Sequence, residues 1–131
     1  MGLIAFDHVT LIVTNVDASR KFYVELLGMS EVSRPEFDFP GAWFQIGNTM
    51  IHITLSDENS GLAGWGDREV KRPSRGHHLA YSTEDFDEAL RLIQSNNVPV
   101  AAGPQTRPDG ARQIYISDPD GHLIEICEPL P

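Results

Sequence analysis

The sequence predicts an α+β protein of two βαβββ modules that form a cup-shaped mixed β-sheet with helices outside. Three observations predict it. The order of strand-like and helix-like segments runs through the chain twice. A shift of 70 residues lays His8 on His78, Val16 on Phe86, Asp17 on Asp87, Phe22 on Leu92 and Tyr23 on Ile93, and a shift of 73 lays Met50-Ile51-His52-Ile53 on Leu123-Ile124-Glu125-Ile126. Finally, a polar residue stands inside apolar strands at equivalent places of both halves. One such module is too small to bury a helix face and a sheet face alone, whereas two can share a core. The expected division is a single domain over 1–131, with module one at about 4–57, a loop at 58–75 and module two at about 76–129.

Within module one, FDHVTLIV (6–13) reads as a strand ending at Thr14-Asn15. Asp17 is the expected N-cap of a helix running to about Leu27. Val16, Phe22, Tyr23, Leu26 and Leu27 form its apolar stripe, and Gly28 stops it. Strands MSEVS, AWFQI and TMIHITL follow, the last two joined through Gly47-Asn48. In module two HHLAYST is a strand, and Thr83 or Asp85 caps a helix to about Ser95. VPVAA, ARQIYIS and HLIEICE complete the set, with Asp118-Pro119-Asp120-Gly121 placed as a type I turn prefers. Strand core positions are Val9, Leu11, Ile46, Ile51, Ile53, Leu79, Ile114, Ile116 and Ile124. The segment 57–75, with Gly61, Gly64, Gly66 and Pro73, reads as a long surface loop, in which Leu62 and Trp65 are candidate covers for the cavity.

Composition narrows the function. A net charge of -9 argues against nucleic acid, whose phosphates demand a basic surface. No apolar run approaches the roughly 18 residues of a membrane span, and MGLIAFDHV lacks a basic region before its apolar stretch. The single cysteine, Cys127, excludes an internal disulfide and suits a reducing compartment, so a cytoplasmic protein is expected. Its place in LIEIC makes it a packed strand thiol. Seven of the ten basic residues (Arg34, Arg68, Lys71, Arg72, Arg75, Arg107 and Arg112) fall in segments read as loops. There they can form an attractive rim for an anionic small-molecule substrate, or be ordinary solvated charge.

The chemistry concentrates on four residues. Residues two apart on a strand share a face, so His52 faces away from Ile51 and Ile53, and Glu125 away from Ile124 and Ile126. A carboxylate directed into a cavity is costly unless paired or on a metal. His8, His52, His78 and Glu125 together supply imidazole nitrogens and one charged oxygen, a donor set suited to Zn, Ni, Co, Fe or Mn rather than Ca or Mg. His77, on the opposite face from His78, and His122, at the turn, are read as structural. Trp43, Phe44 and Tyr115 are candidate pocket aromatics, with core packing as the alternative.

Taken together, HVTLIV at 8–13, KFYVELLGM at 21–29, MIHITL at 50–55, HLAYST at 78–83 and DPDGHLIEI at 118–126 resemble the vicinal oxygen chelate superfamily, the glyoxalase, bleomycin resistance and dioxygenase type. The resemblance runs from His8 to Glu128. It implies paired βαβββ modules, a divalent cation held by His8, His52, His78 and Glu125, and open positions that chelate vicinal oxygens of a small substrate. It further implies a homodimer, with sites within one chain or shared between two. The leading expectation is a lyase or isomerase similar to glyoxalase I, in which the cation polarises a carbonyl and Glu125 shuttles the proton. His52 departs from the pattern, because bacterial glyoxalase I usually has glutamate there and the related epimerases glutamine. Only Glu125 is then left as base.

Three alternatives accompany this reading. His8-Val9-Thr10 and Gly41-Ala42-Trp43-Phe44 resemble fosfomycin-resistance enzymes, but the arginine which that group places beyond the final strand has no counterpart. Ring-cleaving dioxygenases generally leave the first module without ligands, unlike His8 and His52 here. Drug- or metabolite-binding relatives typically lack the ligands altogether.

Overall fold

The structure is a computed structural model that describes residues 1–64 and 71–129. It divides into two compact units, Met1–Gly64 and the remainder, each with its own four-stranded mixed sheet.

The first unit runs β1 (His8–Val13), α1 (Val16–Arg20), a π-helical segment (Lys21–Leu26), β2 (Ser30–Val32), β3 (Gly41–Ile46) and β4 (Thr49–Leu55). Its strand order is β1-β4-β3-β2, with β1 parallel to β4 and the other pairs antiparallel. The second unit runs β5 (Leu79–Ser82), α2 (Phe86–Ser95), β6 (Val100–Thr106), β7 (Arg112–Ser117) and β8 (Leu123–Cys127), after a 3-10 turn at Pro73–Arg75. Its order, β5-β8-β7-β6, repeats that of the first, again with one parallel pair, β5 and β8. The mixed sheet expected from the sequence is thus realised as two βαβββ sheets of one plan.

The helix starts differ from expectation in the first unit and agree in the second. Asn15, not Asp17, caps α1: its backbone is extended and its side-chain oxygen accepts from the Ala18 amide at 2.9 Å. Asp17 lies in the first turn, where a negative charge favours the positive end of the helix dipole. From Lys21 the hydrogen bonding widens, with the Leu27 amide donating to the Phe22 carbonyl five residues back at 3.0 Å. The neighbouring Phe22 and Tyr23 are both buried on this segment. Gly28, at φ +81°, then ends it as expected. In the second unit Asp85 caps α2 by accepting from the Glu88 amide at 2.9 Å.

Alternation divides each sheet into an apolar and a mixed face. Leu11, Val13, Ala42, Phe44, Ile51 and Ile53 are buried in the first unit, and Ile114, Ile116, Ile124 and Ile126 in the second. Apart from Ala42, each such side chain contributes about 1.5–3 kcal/mol. Ile46 is exposed rather than core, because it ends β3 beside the Gly47-Asn48 turn. Gly41 opens β3 where a Cβ would collide with the Ile53 carbonyl. The Asp118–Gly121 turn closes as expected: the Gly121 amide donates to the Asp118 carbonyl at 3.0 Å. The Asp118 carboxylate also accepts from the Asp120 and His122 amides at 2.9 and 2.8 Å. In the 57–75 loop Leu62 is exposed, and Trp65 lies outside the described residues.

Candidate metal centre

Register places the four candidate ligands as two equivalent pairs, one in each unit. His8 lies opposite Met50 in the parallel β1–β4 pair, so His8, Met50 and His52 share a face and Ile51 and Ile53 take the other. Ala80 lies opposite Glu125 in the β5–β8 pair, so His78, two residues before Ala80, shares the face of Glu125. In each unit a histidine at the start of the first strand (His8) or just before it (His78) lies diagonally from the central polar residue of the last.

In the first unit the His8 and His52 rings stack with centroids 3.7 Å apart, tilted by 15°. Trp43 stacks on the other face of His52 at 4.0 Å and 3°. His8 Nδ1 donates to Asp7 Oδ2 at 2.7 Å, which leaves Nε2 as the ring nitrogen that can face a ligand. Asp7, His8 and His52 each offer a ligand atom within 4.8 Å of the others. The Nε2 atom of His52 is buried, with no hydrogen-bond partner among the described residues. Burial, and then the neighbouring His8, push the His52 pKa down, so its imidazole is held neutral. A neutral imidazole with an unshared nitrogen is the form that binds a metal.

The second unit has a carboxylate at its centre. Glu125 is only 5% exposed. His78 Nδ1 donates to the Gly76 carbonyl at 2.8 Å, and His78 Nε2 lies 3.1 Å from Glu125 Oε2. The Tyr115 hydroxyl hydrogen-bonds the same carboxylate, and its pKa is pushed up to about 12, by burial first and then by the Glu125 charge. Its ring meets His78 edge-on at 5.3 Å. Arg107 Nη1 stands 3.6 Å from Glu125 Oε1. Cys127 Sγ donates to the Tyr81 carbonyl at 3.6 Å, and burial raises its pKa, as expected for a packed thiol.

Several sequence readings change. His122 is structural, as read, but more deeply placed than a turn residue suggests: it is buried, at 2% exposure, beside the Asp118 carboxylate that holds its amide. His122→Ala is therefore expected to cost of the order of 2 kcal/mol through the cavity it leaves, lowering the melting temperature without changing metal uptake per folded chain. Thermal unfolding beside elemental analysis checks both halves of that expectation. Phe44 is core, packed on Tyr23 at 6.0 Å, while Trp43 and Tyr115 pack against candidate ligands. Arg112 lies on β7 rather than in a loop, paired with Glu128 and Asp87. Arg34 donates to the Phe39 carbonyl and packs on Phe37 and Phe39. Arg68 falls outside the described residues. Asp7 was missed, although its position directly before a strand histidine was the available signal.

A family model described as Glyoxalase/Bleomycin resistance protein/Dioxygenase superfamily matches residues 5–126. The chain is 27% identical over 129 residues to a protein named Glyoxylase I 4 from Arabidopsis thaliana, covering 97% of this chain and 72% of that protein. It is 24% identical to the metallothiol transferase FosB of Staphylococcus epidermidis, covering 96% and 82%. A solved glyoxalase/dioxygenase from Nostoc punctiforme superposes with a TM-score of 0.72 at 31% identity, covering 93% and 89%.

Proposed function

Since the chain belongs to the Glyoxalase/Bleomycin resistance protein/Dioxygenase superfamily, we propose that it is a divalent-metal-dependent lyase or isomerase of glyoxalase I type. Its substrate is a small molecule chelated through vicinal oxygens. The ligands are His8, His52, His78 and Glu125, drawn from Zn, Ni, Co, Mn or Fe chemistry, and Glu125 also moves the proton. Likeness to the protein named Glyoxylase I 4 supports the reaction class.

The observation that carries the reading is the His78–Glu125 contact. A carbonyl can only accept, so the bond to Gly76 assigns the proton of a neutral His78 to Nδ1. That leaves a nitrogen lone pair facing a carboxylate oxygen at 3.1 Å. Two electron-pair donors at that distance require a proton or a cation between them. In the first unit the buried, unpartnered Nε2 of His52 offers a further lone pair for a cation.

A bound cation supplies Lewis acidity toward a substrate carbonyl. The chain's own residues do the rest. The Asp7 carboxylate and the Gly76 carbonyl fix the tautomers of His8 and His78, as outer partners of ligating histidines do. Trp43 holds the His52 ring plane by stacking. Tyr115 and Arg107 hold the Glu125 carboxylate, which takes up and returns the proton at one of its oxygens. We further propose a homodimer, which the exposed Leu3, Ile4 and Phe6 support, in the cytoplasm, which a lone packed thiol supports. No helix among the described residues is long and apolar enough to cross a membrane.

Protein isolated without chelator is expected to hold close to one equivalent of metal, and His52→Ala to bind it at least about tenfold more weakly. The loaded protein is expected to exchange the carbon-bound protons of hydroxyacetone with D2O. Absence of uptake even after reconstitution would leave a second reading, a ligand-binding protein. That reading is favoured by one observation: Glu125 already has Tyr115 and Arg107 as protein partners.

A further inference from the structure

Among the described residues Arg107 is the arginine beside the candidate catalytic carboxylate, and its guanidinium is gripped from one side. Arg107 Nε and Nη2 donate to Asp109 Oδ1 and Oδ2 at 3.1 and 2.7 Å. Asp109 is itself held by the Ala111 amide at 3.1 Å. The backbone closes the same short loop, with the Arg107 amide on the Ala111 carbonyl and the Gly110 amide on the Arg107 carbonyl, both at 2.9 Å. This bracing fixes a long side chain that otherwise loses rotamer freedom on binding a ligand. It leaves Nη1 directed toward Glu125 Oε1 at 3.6 Å, close enough for charge attraction but beyond a hydrogen bond.

The other described arginines with carboxylate partners are engaged elsewhere. Arg20 is on Asp17 and Glu31, Arg91 on Glu88, and Arg112 on Asp87 and Glu128. Of the loop cations anticipated from the sequence, Arg107 is the one among the described residues that pairs with Glu125. A chain of net charge -9 repels an anion at long range, so an anionic substrate needs a local, desolvated cation beside the reacting centre.

We propose that Arg107 is the residue that determines substrate charge. Braced by Asp109, its Nη1 edge, which faces Glu125 at 3.6 Å beside the Cys127 thiol, also binds a carboxylate on the substrate next to the vicinal oxygens, which makes the substrate class a small 2-oxo or 2-hydroxy acid. This rests on the proposed metal-dependent reading of Glu125. Guanidinium fits a carboxylate through parallel charge-assisted hydrogen bonds, which ammonium reproduces only as a point charge. Asp109 is a positioning residue acting through Arg107.

The test compares lactate with lactamide, which share vicinal oxygens and differ by one charge. Metal uptake by wild type and Arg107→Gln is titrated first, followed by calorimetric titration of each loaded protein with both probes. Wild type is expected to favour lactate by at least about tenfold. Compared at saturating metal with occupancy checked, Arg107→Gln should lose that preference, and Arg107→Lys should recover part of it. Asp109→Asn should reduce the preference while leaving metal uptake intact. A preference retained in both Arg107→Gln and Arg107→Lys at the wild-type ratio overturns the proposal, as does equal or undetectable binding of the two probes by wild type. If wild type takes up no metal, the cation reading falls by itself. The same pair of titrations on metal-free protein then judges Arg107, and no preference for lactate there overturns its role.

Discussion

Glu125→Gln is expected to remove turnover while leaving the fold intact. Gln keeps the size of the side chain, and its amide nitrogen can donate to His78 Nε2 across the 3.1 Å that Glu125 Oε2 spans. The Tyr115 hydroxyl can still donate to the amide oxygen, and Arg107 keeps its grip on Asp109. The substitution removes the negative charge and the exchangeable proton site. Metal binding should weaken, and proton exchange in hydroxyacetone should fall by about 10²–10⁴-fold, the usual contribution of a positioned base. The measurement is made at saturating metal, with occupancy checked, so that loss of ligand and loss of base are separated. Near wild-type exchange in the saturated variant would show that Glu125 is not the base, leaving a Lewis-acid or binding function.

What the sequence disclosed follows from period and repetition. Alternation placed His52 and Glu125 on the faces away from their isoleucine neighbours, and the register agrees. The two-shift superposition anticipated that His8 and His52 in the first half would correspond to His78 and Glu125 in the second. Alternation assigns a face, however, and does not say how deeply that face is covered. Hence the depth of the structural His122 was not apparent, and Ile46 was read as core although it ends a strand at a hairpin. The N-cap was misplaced because Asn15 and Asp17 are both competent caps, and only backbone angles distinguish them. The π-helical segment at Lys21–Leu26 adds width without disturbing the apolar stripe, so a 3.6-residue period does not reveal it. Asp7 and Arg107 act through contacts set by loop and strand-end geometry. No spacing rule encodes those contacts.

Phe44→Ala is expected to destabilise the chain more than withdrawal of the metal does. Phe44 is fully buried, stacked at 6.0 Å on the equally buried Tyr23, and lies opposite Ile51 on β4 and Glu31 on β2. It thus joins the helical layer to the centre of the first sheet. Truncating a buried phenylalanine costs about 3–5 kcal/mol, a large fraction of the roughly 5–15 kcal/mol that holds a domain folded. A bound cation stabilises only by mass action, about 2.7 kcal/mol at a hundredfold excess over its dissociation constant. Its candidate ligands also sit on the sheet faces away from Ile51, Ile53, Ile124 and Ile126, whose burial does not depend on it. Chelation should therefore lower the melting temperature without unfolding the chain at room temperature. Phe44→Ala, measured with metal present, should lower it by about 10 °C or more. Cooperative unfolding on adding chelator, with Phe44→Ala nearly silent, would reverse this order and make the cation a structural element of the fold.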